Sequence, residues 1–195
     1  MTYIERVRRM DQRSRTWAQT DTFRIADYKP FQVLDGEGLR CSLYVSYCPF
    51  SCPGCYNKVA QKKGYGDAYT PELEERIIND LSNRNVSGLT LVGGEPFLSA
   101  RFLLPLVRRI RKELPAKTIW AYTGYSWETL QVFGDERRAL LRHLDVLVDG
   151  QFITQLRDEA NPPPFAGSSN QRLIHVPSSL AAGVPVHHRV VSLSP

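Results

Sequence analysis

At 195 residues, 42% of them hydrophobic, the chain carries enough apolar sequence for one domain with a full core. No apolar run approaches the roughly 20 residues of a membrane span, and the charged first ten residues lack the apolar stretch of a signal peptide. A cytoplasmic protein is expected, with no membrane among its partners. Four cysteines are too few for a disulfide scaffold, and 25 basic against 20 acidic residues give a moderate net charge of +5, unevenly spread.

Residues 1–22 hold Arg6, Arg8, Arg9, Arg13 and Arg15 around an isolated Trp17 and read as an N-terminal extension outside the core. Such an arm, like Arg108, Arg109, Arg111 and Lys112 further on, suits nucleic acid or an acidic protein. No DNA-binding motif or aromatic-interleaved basic stripe accompanies either run, so solvated surface is expected and nucleic acid is not.

Phe31–Leu34 leads into a turn at Asp35-Gly36-Glu37-Gly38. The next stretch alternates, with Leu39, Cys41, Leu43 and Val45 on one face, which predicts a strand over 39–46. Cys41 on that apolar face reads as a buried thiol rather than a ligand.

The strand delivers the chain to Cys48, Cys52 and Cys55, a C-x3-C-x2-C spacing on one tight loop. Three thiolates fill three corners of a metal centre, and no fourth cysteine or histidine stands in the loop to close it. Structural zinc sites are usually closed by four protein ligands, whereas catalytic sites keep one position open. A [4Fe-4S] cluster takes four cysteines when complete, so three leave one iron free for an exogenous ligand. On the cysteines alone an open cluster, a zinc site and a redox dithiol all stand.

Thr70-Pro71 has the form of a cap followed by proline at the first helical position, opening an amphipathic helix with Leu73, Ile77, Ile78 and Leu81 inward, to about Ser82. Gly88–Val92 reads as a short buried strand ending in Gly93-Gly94-Glu95-Pro96. Phe102, Leu103, Leu106, Val107, Ile110 and Leu114 mark a second helix, whose start Pro105 is expected to delay. Thr118–Tyr122 is the next strand, ending in Thr123-Gly124-Tyr125. Ser126 suits a cap, residues 135–143 another helix, and 144–148 a strand ending in Asp149-Gly150. Beyond it lie loop residues, Pro162-Pro163-Pro164 and Gly167 to Arg172, an edge strand over 173–176, and an expected tail over 177–195.

The order β-α-β-α-β-α-β predicts an α/β fold with a parallel sheet and right-handed crossovers. In each repeat the unusual residues follow the strand: the three cysteines, Gly93-Gly94-Glu95, Thr123-Gly124-Tyr125 and Asp149-Gly150. Parallel α/β folds place their sites at the carboxyl ends of strands, so four motifs are expected on one rim. That convergence favours the open cluster over a zinc knuckle.

With Gly-Gly-Glu-Pro after the next strand, C-x3-C-x2-C resembles the radical S-adenosylmethionine superfamily. Asp35 to Gly38 with Arg40-Cys41, Cys52 to Lys58, Gly93 to Pro96, Tyr122 to Tyr125, Val146 to Phe152 and Gly167 to Arg172 are together similar to the activating proteins of anaerobic (class III) ribonucleoside-triphosphate reductase. The resemblance implies a partial (β/α) barrel over 23–176 and a [4Fe-4S] cluster held by Cys48, Cys52 and Cys55. Its fourth iron would chelate S-adenosylmethionine. It further implies Gly54, Cys55 and Tyr56 around the adenine, Gly93 and Gly94 close to the methionyl group with Glu95 near its ammonium, and Thr123 and Asp149 completing the cofactor site. The implied activity is reductive cleavage of S-adenosylmethionine, with the resulting radical passed to a glycine of the partner reductase. An electron donor such as flavodoxin would supply the electron. Asp149-Gly150 and the Gly167–Arg172 loop would line the partner's groove. The alternatives are an activase of another glycyl-radical enzyme, a small radical enzyme such as a 7-carboxy-7-deazaguanine synthase, and, outside this chemistry, a zinc-stabilised nucleic-acid-binding module.

Overall fold

The computed structural model describes residues 23–190; the Arg-rich arm with Trp17 and the last five residues lie outside the described residues. Seven strands form one sheet in the order β3-β1-β2-β4-β5-β6-β7. They are β1 (Arg24–Gln32), β2 (Leu39–Val45), β3 (Asp67–Ala68), β4 (Val86–Gly93), β5 (Thr118–Tyr122), β6 (Val146–Asp149) and β7 (Arg172–His175). The helices are α1 (Pro71–Ser82), α2 (Ala100–Glu113), α3 (Trp127–Val132), α4 (Glu136–Leu141) and α5 (Val176–Ala182).

The four strands expected to form the parallel sheet, β2, β4, β5 and β6, pair in parallel at the centre. The sheet as a whole is mixed, because β1 runs antiparallel to β2, β3 to β1, and β7 to β6. The physical reason at β1 is connection length: residues 33–38 are too few for the crossover of a dozen or so that a parallel pair needs. Strand β1 itself has no counterpart in the sequence reading. Its register shifts between Ile25 and Asp27, and again between Lys29 and Gln32. Each shift changes which residues point inward and erases the period of two by which a strand is recognised.

Strand β2 is buried on both faces, so its polar alternate residues do not meet solvent. Cys41, Leu43 and Val45, with Leu89, Leu91, Ile119, Ala121 and Leu147, face the helices in the main core. On the opposite face Trp120, Val146, Val148 and Leu173 form a second cluster, joined by Phe165 and Val190. Arg40 lies beneath it, 1% exposed. Its guanidinium donates to Thr90 Oγ1 (2.7 Å), Thr118 Oγ1 (2.9 Å) and the Leu89 carbonyl (2.8 Å), and lies over the Trp120 ring at 5.2 Å. Burial holds its pKa down at about 10, so it remains a cation at neutral pH.

The Thr70 Oγ1 accepts the Leu73 N–H at 3.3 Å and caps α1 as expected. Thr70→Ala is predicted to destabilise the protein by about 1 kcal/mol, readable as a drop of a few degrees in the thermal midpoint. Pro105 does not delay α2, which begins at Ala100 and carries the proline inside it. The helix keeps its path because Leu103, Leu104, Leu106, Val107 and Ile110 are all buried, which offsets the roughly 3 kcal/mol of an interior proline. The stretch from Pro177, expected to be a tail, is also corrected. It forms α5, and the chain then returns to β7, with the His175 N–H on the Val186 carbonyl (2.9 Å) and the His188 N–H on the Leu173 carbonyl (2.9 Å). His188 Nε2 hydrogen-bonds Glu37 Oε2 at 2.7 Å and its ring meets Trp120 edge-on. The segment lacks helical periodicity because only Val176 and Leu180 of the helix meet the main core, while Val190 joins the second cluster.

Candidate functional site

The carboxyl ends of β2, β4, β5 and β6 open onto one cleft of about 750 Å³. Cys48, Cys52, Cys55, Gly93, Gly94, Glu95 and Thr123 all line it, so the expected convergence on one rim holds. The cluster loop is built by backbone. The Tyr47 N–H donates to the Ala60 carbonyl (2.7 Å), the Cys48 N–H to Gln61 (3.3 Å) and the Cys55 N–H to Cys52 (3.2 Å). Tyr47 and Ser51 both sit at positive φ, 76° and 49°, a conformation that costs a non-glycine residue on the order of 1 kcal/mol or more. Strain on both sides of Cys48 marks a loop shaped for something other than its own stability.

All three loop cysteines are free and half-buried. Burial pushes the Cys48 thiol up to about 12 and raises Cys52 as well. A metal must therefore displace protons to gain these thiolates. Among the described residues no three His, Cys, Asp or Glu side chains converge as ligands of a single ion. That is compatible with a four-iron cluster, in which each thiolate holds a different iron. Cys41, fully buried in the helix-side core, takes no part.

Gly93 and Gly94 are held for a different reason than close approach of a ligand. A Cβ on Gly94 would lie 2.3 Å from the Tyr47 carbonyl oxygen, and one on Gly93, whose φ is +104°, would lie 2.7 Å from the Val45 backbone. The Gly94 N–H donates to the Val45 carbonyl (2.6 Å) and the Glu95 N–H to Tyr47 (2.8 Å). The glycine pair thus presses directly on the backbone that enters the cluster loop. Its remaining surface faces the cleft.

Glu95 is wholly screened from bulk water beneath the cleft. One carboxylate oxygen accepts the Phe97 N–H (3.0 Å) and the Thr123 hydroxyl (2.9 Å), and the other accepts the Gly124 N–H (2.8 Å). Burial raises its pKa to about 7 against the opposing effect of these donors. Thr123 is therefore a partner of Glu95 as well as a lining residue.

Asp149 does not join the cleft. Its carboxylate accepts the Trp127 N–H at 2.7 Å and is paired with Arg172, which also bridges to Glu128. Only the following Gly150 reaches the lining. The carboxylate locks β6 to the start of α3 and to β7, so the cofactor role expected for it has no geometry here. Tyr56 stands at the mouth, 89% exposed, while Gly54 takes φ +72° in the turn between Cys52 and Cys55.

Several lining residues carried no assigned role in the sequence. Phe50 packs edge-on against Tyr125 and occupies the space that a Gly124 side chain would need. Asp35 Oδ2 accepts the Tyr44 hydroxyl (2.6 Å) and Gln32 Nε2 (2.6 Å) on the cleft wall. An aromatic between two of the cysteines and an acid in the glycine turn were the available signals.

Residues 34–174 match the family model of a 4Fe-4S single cluster domain. The chain is 42% identical over 153 residues to the anaerobic ribonucleoside-triphosphate reductase-activating protein of Haemophilus influenzae, spanning 76% of this chain and 94% of that one. It is 43% identical over 153 residues to the protein of the same name from Vibrio cholerae, with the same coverage. The chain belongs to the anaerobic ribonucleoside-triphosphate reductase-activating protein family. Another member, from Enterobacteria phage T4, is 32% identical over 149 residues, 74% of this chain and 88% of that one. The cofactor is an iron–sulfur cluster, and the zinc-module alternative falls with the family assignment. The shared stretch takes in the cluster loop, the glycine pair and the Gly167–Arg172 loop of this activating-protein domain. Among the described residues no helix is long and apolar enough to cross a membrane.

Proposed function

We propose that this protein cleaves S-adenosylmethionine reductively and generates the glycyl radical of an anaerobic ribonucleoside-triphosphate reductase. The observation that carries the reading is the meeting of Cys48, Cys52 and Cys55 with Gly93, Gly94 and Glu95 in one cleft of about 750 Å³, in a chain of this family. Cys48, Cys52 and Cys55 are the ligands of a [4Fe-4S] cluster, and the mixed sheet is a partial (β/α) barrel of the radical S-adenosylmethionine type. The domain starts at residue 23. Held by these three cysteines, the cluster would supply the single electron for reductive cleavage of the sulfonium.

The chain's own residues bind, orient and shield. Glu95, with Thr123 behind it, offers a carboxylate to the ammonium of S-adenosylmethionine, and Tyr56 and the Gly54–Cys55 backbone flank the adenine. Phe50 and the surrounding walls keep water from the reacting centre. Gly150 and the Gly167 turn border the opening through which the partner's glycine loop enters. Flavodoxin is the proposed electron donor, and the protein acts in the cytoplasm.

The direct test is anaerobic reconstitution with iron and sulfide, followed by S-adenosylmethionine, a reductant and the reductase. A glycyl radical signal in electron paramagnetic resonance is expected. S-adenosylmethionine cleavage with no radical on the reductase would move the activity to another substrate. A carboxylate with a pKa near 7 also predicts a pH dependence. Above that value Glu95 is charged and attracts the ammonium; below it the proton removes the attraction. Affinity for S-adenosylmethionine should fall as pH drops from 8 to 6, by about fivefold if the charge contributes about 1.4 kcal/mol. Glu95→Gln should bind weakly at both pH values, by equilibrium dialysis.

A further inference from the structure

The turn between Cys52 and Cys55 is held from outside by a segment a hundred residues away in sequence. Thr154 Oγ1 donates to the Pro53 carbonyl at 2.6 Å. A side chain on Gly54 would fall 2.8 Å from that same hydroxyl oxygen and 3.4 Å from the Phe152 ring, so the segment lies directly against the turn. A hydrogen bond and a close packing contact therefore bring residues 152–154 onto the two residues that separate a pair of cluster ligands.

The segment is itself fixed from its other side. The Ile153 N–H donates to Ser168 Oγ (3.2 Å), Asn170 Nδ2 to the Gln151 carbonyl (2.9 Å), and Gln171 Nε2 to the Gly150 carbonyl (2.8 Å). Ser168 is fully buried. Residues 150–154 thus form a strap between the cluster loop and the Gly167–Arg172 loop, with Thr154 at its far end.

We propose that Thr154 is a positioning residue for the iron–sulfur cluster, its hydroxyl holding the Pro53–Gly54 turn and with it the spacing of Cys52 and Cys55. The inference rests on the reading of Cys48, Cys52 and Cys55 as cluster ligands. Its physical basis is that the groups that orient the ligands set a metal site's potential and its hold on metal. Thr154 is exposed, and an exposed hydrogen bond adds little to folding stability. Its effect should therefore appear in the cluster and not in the fold.

The test compares Thr154→Val, which removes the hydroxyl at nearly constant shape, with Thr154→Ser, which keeps it. Each full-length protein is reconstituted anaerobically. The cluster's midpoint potential, the resonance spectrum of its reduced form and the rate of iron loss to a ferrous chelator are measured, together with the thermal midpoint of the cluster-free protein. Thr154→Val should lose iron several-fold faster and shift the potential away from the parent's, as expected when the turn between two ligands is loosened. Its cluster-free thermal midpoint should match that of the parent, and Thr154→Ser should restore the parent's behaviour. A folded Thr154→Val that takes up no cluster is the same result in a stronger form. Parent-like potential and iron loss in Thr154→Val would overturn the proposal, as would a lowered cluster-free midpoint that serine does not restore. If the parent itself assembles no four-iron cluster, the ligand reading fails instead, and the two failures are separate.

Discussion

Replacing Cys48, Cys52 or Cys55 by alanine is expected to abolish cluster assembly, whereas Cys41→Ala leaves the cluster intact. The three loop thiols line one cleft, and with only three thiolates for four irons none is redundant. Cys41 differs in place and in environment. It is fully buried on the helix-facing side of β2, among Leu43, Leu89 and other core residues, and its sulfur does not line the cleft. Truncating it removes packing and should cost about 1 kcal/mol of stability. Iron and acid-labile sulfide per chain, with the visible absorbance after anaerobic reconstitution, read the first effect; thermal unfolding of the cluster-free chain reads the second. Loss of iron in Cys41→Ala as complete as in Cys52→Ala would refute the ligand assignment.

How much of this was legible in the sequence depended on how far each feature is local. The central strands could be read because their apolar residues alternate or run continuously, and Thr70-Pro71 announced α1 because a cap is a short-range device. The rim could be read because a parallel sheet sends every strand end to the same side, which brought Cys48, Gly94 and Thr123 together without any knowledge of contacts. Strand β1 was hidden by two register shifts, and α5 by its length of seven residues, of which only Val176 and Leu180 meet the main core. Asp149 shows the limit more sharply. Its position at the end of β6 was read correctly, but which way its carboxylate turns depends on the Trp127 N–H and Arg172, and no local pattern encodes that choice. The strap from Gly150 to Thr154 is invisible for the same reason, since its contacts with Pro53 and Ser168 are long-range hydrogen bonds made by ordinary loop residues.

Gly94→Val is expected to lose the cluster, because the glycine is required by the loop that carries the cysteines. The sequence alone suggests a different outcome, in which a bulky residue at the glycine pair keeps S-adenosylmethionine out and leaves the iron in place. Geometry decides between them. The position of the missing Cβ lies 2.3 Å from the Tyr47 carbonyl oxygen and 2.9 Å from the Tyr47 nitrogen, both backbone atoms that cannot swing aside as a side chain would. Gly94 does not have positive φ, so the constraint is contact alone. Relief requires the Tyr47 backbone to move, and Tyr47 is already in a strained conformation one residue before Cys48, with its N–H on the Ala60 carbonyl and its own carbonyl taking the Glu95 N–H. Overpacking of this kind typically costs about 1–3 kcal/mol. Here the displacement reaches Cys48, a proposed metal ligand, so its effect on iron content should exceed its effect on folding. Gly94→Ala, which brings the same Cβ without the two methyl groups, should show a smaller loss of iron in the same direction. A Gly94→Val protein with full iron and sulfide content that fails only to respond spectroscopically to S-adenosylmethionine would return the glycine to the ligand side of the cleft.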